Sequence, residues 1–135
     1  MYNITTKLEF SYGHRLLNYP GRCCHLHGHN AFVEVTLESK DLNDMGMVED
    51  SRSVRKILKD WIEENIDHKM LLNRKDPVVQ TLLNAGEVLY LMDENPTAEN
   101  IARLIHAEIS KKLPPVIEVK VWETSNCCAS YRDSE

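Results

Sequence analysis

Two stretches of alternating apolar and polar residues continue into histidines, and this feature limits the fold more than any other. The first apolar row consists of Ile4, Thr6, Leu8, Phe10 and Tyr12, and the second of Val33, Val35 and Leu37. His14 continues the first row, and His27 and His29 share the parity of the second. Side chains two apart on a strand share a face. An antiparallel pair of these strands would therefore bring the three imidazoles together.

These side chains indicate a metal site. Three histidine nitrogens on Zn²⁺ leave the fourth tetrahedral position open, as in catalytic rather than structural sites. Cys23 precedes His27 by four positions. Beside a metal ion its thiol would lose its proton more readily and become available as a base or nucleophile. The alternative is that Cys23 is a small buried apolar side chain.

The remaining pattern predicts helices and strands in a mixed order. A helical period over residues 51–66 follows a cap at Asp50 or Ser51, and Thr97 caps a second helix that stops before Pro114. Between them, residues 77–84 form a short helical candidate and 88–92 an extended or buried connector. A third alternating run has an inward row of Ile117, Val119 and Val121, followed by a short strand at 129–132. No catalytic or metal-binding role is expected for His25 or His106, and His106 is expected on a solvated helix face.

Two polar features interrupt these patterns. Glu123 continues the row of Val119 and Val121, where an apolar side chain is expected. It is either a site residue or a solvent-exposed strand end. The Asp67-His68 pair follows the first helix, and a carboxylate that orients an imidazole suits general acid–base catalysis. The alternative for His68 is an interaction with the helix dipole.

Charge and composition exclude several functions. The formal charge of −5 argues against a general nucleic-acid binder. The chain has no apolar stretch of about 18 residues and no secretory signal pattern, which predicts a soluble cytoplasmic protein without membrane partners. Its 135 residues suit one domain spanning 1–135. The adjacent pairs Cys23-Cys24 and Cys127-Cys128 predict reduced thiols, with no role assigned to Cys24, Cys127 or Cys128.

Five separated motifs, in order along nearly the whole chain, resemble one enzyme family. They are His14-Arg15-Leu16, Cys23-x3-His27-Gly28-His29-Asn30, Asp67-His68-Lys69 with Leu72-Asn73, Pro96-Thr97-Ala98-Glu99-Asn100, and Glu123-Thr124. The family is that of the 6-pyruvoyltetrahydropterin and 6-carboxytetrahydropterin synthases. The short Cys-x3-His spacing resembles the carboxy enzymes of queuosine and 7-deazapurine biosynthesis, whereas the pyruvoyl enzymes tend to have a longer insert.

The resemblance implies a fold, an assembly and a set of site residues. The fold is α+β, a T-fold (tunnelling fold): a four-stranded antiparallel sheet with two helices on one face, in strand-strand-helix-helix-strand-strand order. The assembly is a homohexamer of two stacked trimers with sites between subunits. The implied site has His14, His27 and His29 as zinc ligands, Cys23 as proton acceptor, and Asp67 and His68 as a relay. Glu123 would anchor the pterin ring or complete the catalytic relay, and Thr97 and Thr124 would contact the substrate.

The implied reaction is that of a zinc-dependent lyase. Its substrate is 7,8-dihydroneopterin triphosphate and its product 6-carboxy-5,6,7,8-tetrahydropterin, with release of acetaldehyde and triphosphate. The alternatives are 6-pyruvoyltetrahydropterin synthesis and a non-catalytic zinc-binding module. Tyr12-Gly13 departs from the family pattern, in which small residues often precede the first histidine. No motif identifies triphosphate contacts; the candidates are Arg15, Arg22, Lys69 and Arg74.

Overall fold

The computed structural model describes residues 1–134 and contains a six-stranded mixed sheet. Its strands are β1 (Tyr2–His14), β2 (His27–Ser39), β3 (Lys69–Asn73), β4 (Leu89–Met92), β5 (Val116–Thr124) and β6 (Cys127–Tyr131), in the spatial order β4-β3-β1-β2-β5-β6. The helices are α1 (Ser51–Asn65), α2 (Val78–Asn84) and α3 (Ala98–Ile109). None of the helices within residues 1–134 is long and apolar enough to cross a membrane.

The predicted hairpin of β1 and β2 is confirmed. Its antiparallel register runs without interruption from Tyr2 opposite Ser39 to His14 opposite His27. Gly13 lies opposite Gly28, and a Cβ on Gly28 would stand 3.0 Å from the carbonyl O of Tyr12, closer than side-chain carbons ordinarily come. The glycine therefore lets the two strands stay paired up to the histidines.

Helices α1 and α3 cover the inward face of the sheet. Asp50 caps α1 by accepting from the backbone N–H of Arg52, and Thr97 caps α3 by accepting from that of Asn100. The buried face of α1 consists of Val54, Leu58, Trp61 and Ile62, and that of α3 includes Ile101, Ala102, Ile105 and Ile109. These side chains join the inward rows of β1, β2 and β5 in one apolar cluster.

The predicted four-stranded antiparallel sheet with two helices is wrong in three respects. The sheet has six strands, β3 and β4 pair in parallel, and α2 is a third helix. Leu71 and Leu72 are both buried, so β3 shows no alternation in the sequence. The helical prediction for 77–84 is confirmed as α2, and of the two alternatives for 88–92 the extended one is confirmed as β4. Both elements lie between the two helices that were expected to follow each other.

Two further side chains lie in environments that the sequence does not predict. Val116, rather than Ile117, joins the inward row of β5, because the pairing with β2 shifts at Leu37 and leaves Ile117 as an extra residue. His106 is buried rather than solvated. Its Nε2 lies 2.8 Å from the carbonyl O of Val116, so this contact satisfies the imidazole where α3 packs on β5.

Candidate metal centre

Three imidazoles converge at the end of the β1–β2 hairpin. The Nε2 of His14 lies 3.0 Å from that of His27 and 3.2 Å from that of His29. Nitrogens bound to one tetrahedral metal ion at 2.0–2.1 Å would stand about 3.3–3.4 Å apart. The three side chains, whose ligand atoms all lie within 4.8 Å of one another, can therefore hold one metal ion after small adjustments.

Backbone carbonyls orient two of these imidazoles. The Nδ1 of His14 lies 2.7 Å from the O of Pro96, and the Nδ1 of His27 lies 2.7 Å from the O of His25. If each Nδ1 carries the proton and donates it to the carbonyl, each Nε2 keeps a lone pair for a metal. Burial lowers the pKa of His14, against the opposing effect of Pro96, and so favours the neutral form that metals bind.

A carboxylate lies beside this cluster. Glu123 Oε1 is 3.8 Å from His14 Nε2, and Oε2 is 3.9 Å from His29 Nε2. The pairing of β5 with β6 shifts between Trp122 and Thr124, which leaves Glu123 without a partner residue on β6. Glu123 therefore faces the imidazoles from a bulge and is not merely the exposed end of a strand.

Tyr12 holds this carboxylate. Its hydroxyl donates to Glu123 Oε1 over 2.8 Å. Burial, followed by the nearby charge of Glu123, raises the pKa of Tyr12, so the hydroxyl keeps its proton and remains a donor. The sequence presents Tyr12 as a member of an apolar row and as a departure from the pattern of the family that it resembles, but no local signal connects it to Glu123.

Asp67 and His68 form a hydrogen-bonded pair outside the three-histidine cluster. His68 Nδ1 lies 2.8 Å from Asp67 Oδ2, and the backbone N–H of Ser11 donates to Asp67 Oδ1 over 2.9 Å. The side chain of His68 is 79% exposed. It shares with His27 and His29 the lining of an open cleft of about 510 Å³. The pair is thus oriented from within the chain but presents its imidazole to solvent.

Cys23 lies in a short turn, Arg22–Cys24, between β1 and β2. It is half-buried, and its carbonyl accepts from the backbone N–H of Leu16 over 2.8 Å. Its sulfur is not part of the histidine cluster. All four cysteines are free, with Cys127 and Cys128 exposed on β6.

The two threonines with an expected substrate role both make local contacts. Thr97 Oγ1 accepts from the backbone N–H of Asn100 over 3.1 Å, as the cap of α3. Thr124 is exposed, and its Oγ1 accepts from the backbone N–H of Asn126 over 3.3 Å. Their contact with substrate stays a prediction.

Three of the four cationic candidates for triphosphate contacts already have partners in the chain. Arg15 pairs with Asp76, Arg74 with Asp93, and Lys69 donates to the carbonyls of Glu63 and Glu64. Arg22 is exposed, and its side chain has no hydrogen bond or ion pair with any residue in 1–134. Of the four, Arg22 is therefore the side chain most readily available to an anionic group.

Asp76 is a buried carboxylate that the sequence does not single out. It is 3% exposed, its Oδ2 accepts from Arg15 Nε over 2.7 Å, and its Oδ1 accepts from the backbone N–H of Val78. It thus connects the end of β1 to the start of α2. The hydrogen bond from Arg15 is the main reason why the pKa of Asp76 is lowered.

Asp76→Asn is expected to lower the free energy of unfolding by about 2 kcal/mol at pH 7, because it leaves Arg15 without its charged partner. A carboxyl group with a lowered folded-state pKa stabilises above its unfolded pKa, about 4, and that contribution is lost as the pH falls through the folded value. The difference from wild type should therefore shrink below about pH 4. Urea unfolding across pH measures it.

The matched control is Asp93→Asn, which removes the exposed partner of Arg74 and should change stability little. Equal stability losses in the two variants, or a pH-independent loss for Asp76→Asn, would contradict the role given to the Arg15–Asp76 pair.

Comparisons with known proteins agree over nearly the full chain. A family profile described as 6-pyruvoyl tetrahydropterin synthase matches residues 3–134. A Rickettsia bellii protein named 6-carboxy-5,6,7,8-tetrahydropterin synthase is 35% identical, with 94% of this chain and 97% of that protein covered. An uncharacterized Wolinella succinogenes protein of known structure superposes with a TM-score of 0.83 at 26% identity, over 98% of each chain. The Caenorhabditis elegans 6-pyruvoyl tetrahydropterin synthase shares the fold, with a TM-score of 0.74 at 21% identity over 98% of this chain and 96% of that one.

Proposed function

This chain belongs to the 6-pyruvoyl tetrahydropterin synthase family, and we propose that it is a zinc-dependent lyase of the 6-carboxytetrahydropterin type. It would convert 7,8-dihydroneopterin triphosphate to 6-carboxy-5,6,7,8-tetrahydropterin with release of acetaldehyde and triphosphate. The product would serve queuosine or 7-deazapurine biosynthesis. The observation that carries the proposal is the convergence of three imidazole nitrogens beside the carboxylate of Glu123. The short Cys23–His27 spacing and the name of the Rickettsia bellii relative favour the carboxy reaction.

His14, His27 and His29 would hold the zinc ion through Nε2. The ion would supply Lewis acidity, which makes the hydroxyls of the substrate side chain easier to deprotonate. The carbonyls of Pro96 and His25 keep two of the imidazoles oriented before any ligand arrives. This orientation reduces the rearrangement needed at the moment of binding.

Cys23 would accept a proton from the substrate side chain, and the Asp67–His68 pair would relay protons. The contact between His68 Nδ1 and Asp67 Oδ2 fits this role, because a carboxylate at Nδ1 stabilises an imidazole that gains a proton at Nε2. Glu123 would accept N–H hydrogen bonds from the pterin ring, a charge-assisted contact. Thr97 and Thr124 would contribute weaker substrate contacts.

We further propose that each site is assembled from more than one copy of the chain in a hexamer of two stacked trimers. The support is the exposure of His68, which is too high for a relay residue in a closed site. The strands β4 and β6 also end the sheet on either side and have backbone groups that another copy can pair with. A facing copy would exclude water from the cleft that His68 lines.

Product analysis tests the proposed reaction. Zinc-loaded protein incubated with 7,8-dihydroneopterin triphosphate is expected to release acetaldehyde and triphosphate in equal amounts, which enzymatic assays of each product measure. The protein after removal of zinc by a chelator is the control and should release neither. Triphosphate without acetaldehyde would reject the carboxy assignment in favour of 6-pyruvoyltetrahydropterin synthesis. Release of neither product by the zinc-loaded protein would favour a non-catalytic zinc-binding module.

A further inference from the structure

Tyr12 occupies a place at the metal centre that the proposed reaction does not explain. Its ring stacks on Phe10 at a centroid distance of 5.4 Å and meets the edge of His14 at 5.1 Å. The side chain is 3% exposed.

The Tyr12 hydroxyl selects the position of the Glu123 carboxylate. It donates to Oε1 over 2.8 Å, whereas the two carboxylate oxygens stand 3.8 and 3.9 Å from the nearest Nε2 atoms of His14 and His29. Those longer distances are not hydrogen bonds. Among the described residues, Tyr12 is therefore the group that fixes the carboxylate at the cluster.

Without this donor, the Glu123 carboxylate would be free to turn toward the ion and become a fourth ligand. Carboxylate oxygens bind zinc at 2.0–2.2 Å, and ligand atoms in a tetrahedral set stand about 3.3–3.4 Å apart. The oxygens of Glu123 are only slightly farther than this from two of the three imidazole nitrogens. Neither oxygen belongs to the group of ligand atoms that lie within 4.8 Å of one another, so a rotation of the Glu123 side chain is needed to bring one of them to the ion. The charge-assisted hydrogen bond from Tyr12 opposes that rotation.

We propose that Tyr12 is a positioning residue that keeps Glu123 beside the three histidines but outside the ligand set of the metal. The fourth position then stays open, and the carboxylate keeps Oε2 free to accept hydrogen bonds from a bound molecule. The first consequence concerns the metal alone. The second rests on the proposed function, because it takes the pterin as the bound molecule.

Tyr12→Phe tests the proposal, because it removes the hydroxyl and keeps the ring. Glu123 should then close on the ion, so the zinc dissociation constant, measured by competition with a chromophoric chelator, should fall about tenfold. The visible absorption of the Co²⁺-loaded variant should change, because a carboxylate joins the ligands. Turnover should fall through kcat. In the Glu123→Gln background, the same substitution should leave the metal affinity unchanged.

Tyr2→Phe is the matched control, since Tyr2 lies on the same strand with its side chain exposed, and it should match wild type in every measurement. Thermal unfolding of the metal-free proteins shows whether Tyr12→Phe is folded. An unchanged or weaker metal affinity of the folded Tyr12→Phe protein, or a tightening that persists in the Glu123→Gln background, would overturn the proposal. Because affinity and spectrum are measured without substrate, they decide this proposal even if the wild-type protein forms no carboxypterin.

Discussion

His29→Ala is expected to abolish stable zinc binding and to reduce turnover by about a thousandfold or more, well beyond the 10- to 100-fold typical for loss of a residue that only orients a ligand. Two imidazoles would remain, which is fewer than the three ligands that catalytic zinc sites use. His29 suits this test better than His14. His14 is 2% exposed and holds the carbonyl of Pro96, so its loss would also disturb the core.

Metal content after dialysis and the rate of triphosphate release measure the effect of His29→Ala. His25→Ala is a matched control. Its side chain is exposed, and the contribution of His25 to the site is its backbone carbonyl, which the substitution keeps. The control should retain metal and turnover. A His29→Ala protein that still holds one equivalent of zinc would refute the assignment of the three histidines.

Cys23→Ala is expected to reduce turnover by about a thousandfold, in the range that a general base contributes, while metal binding and thermal stability stay near wild type. The sulfur lies outside the histidine cluster, and the contact with Leu16 uses the backbone carbonyl of Cys23. Cys24→Ala serves as the control from the same turn. Unchanged turnover in Cys23→Ala would reject Cys23 as the base, whereas loss of zinc would show that it is a ligand.

A mixing experiment extends this prediction to the assembly. His68→Ala should be nearly inactive for the same reason as Cys23→Ala. If Cys23 of one copy faces His68 of another, hexamers refolded from an equal mixture of the two variants should recover about a quarter of the wild-type activity, because each intact residue occurs in half of the copies. Each variant refolded alone is the control. Activity that stays at the level of the single variants would place both residues of a working site in one chain.

Local periodicity predicts the parts of this fold in which one pattern extends over many residues. The alternation of β1 and β2 alone predicts that His14, His27 and His29 share the core face, and the register of the hairpin agrees. The caps at Asp50 and Thr97 also predict where α1 and α3 begin, because capping depends on residues three or fewer positions away in the sequence.

Short or interrupted elements escape this kind of prediction. Strand β3 has five residues with two adjacent buried leucines, which removes the alternation that identifies a strand. Helix α2 is the exception among the short elements, because its seven residues are predicted as helical although none of its side chains is buried. The extra residue in β5 places Val116, rather than Ile117, on the core face, because a bulge changes the parity of every residue beyond it.

The sequence by itself determined which residue types are available for chemistry and on which face of a strand most of them lie. Only the tertiary structure decided which groups orient them. The hydrogen bond between the Tyr12 hydroxyl and Glu123 joins residues 111 positions apart in the sequence. The contact of His14 with the carbonyl of Pro96 joins residues 82 positions apart, and that of Arg15 with Asp76 joins residues 61 positions apart. No local period relates residues so far apart, because their contact depends on strand order and helix packing. The three histidines can therefore be predicted from the sequence, whereas the groups that orient them are identified only from the tertiary structure.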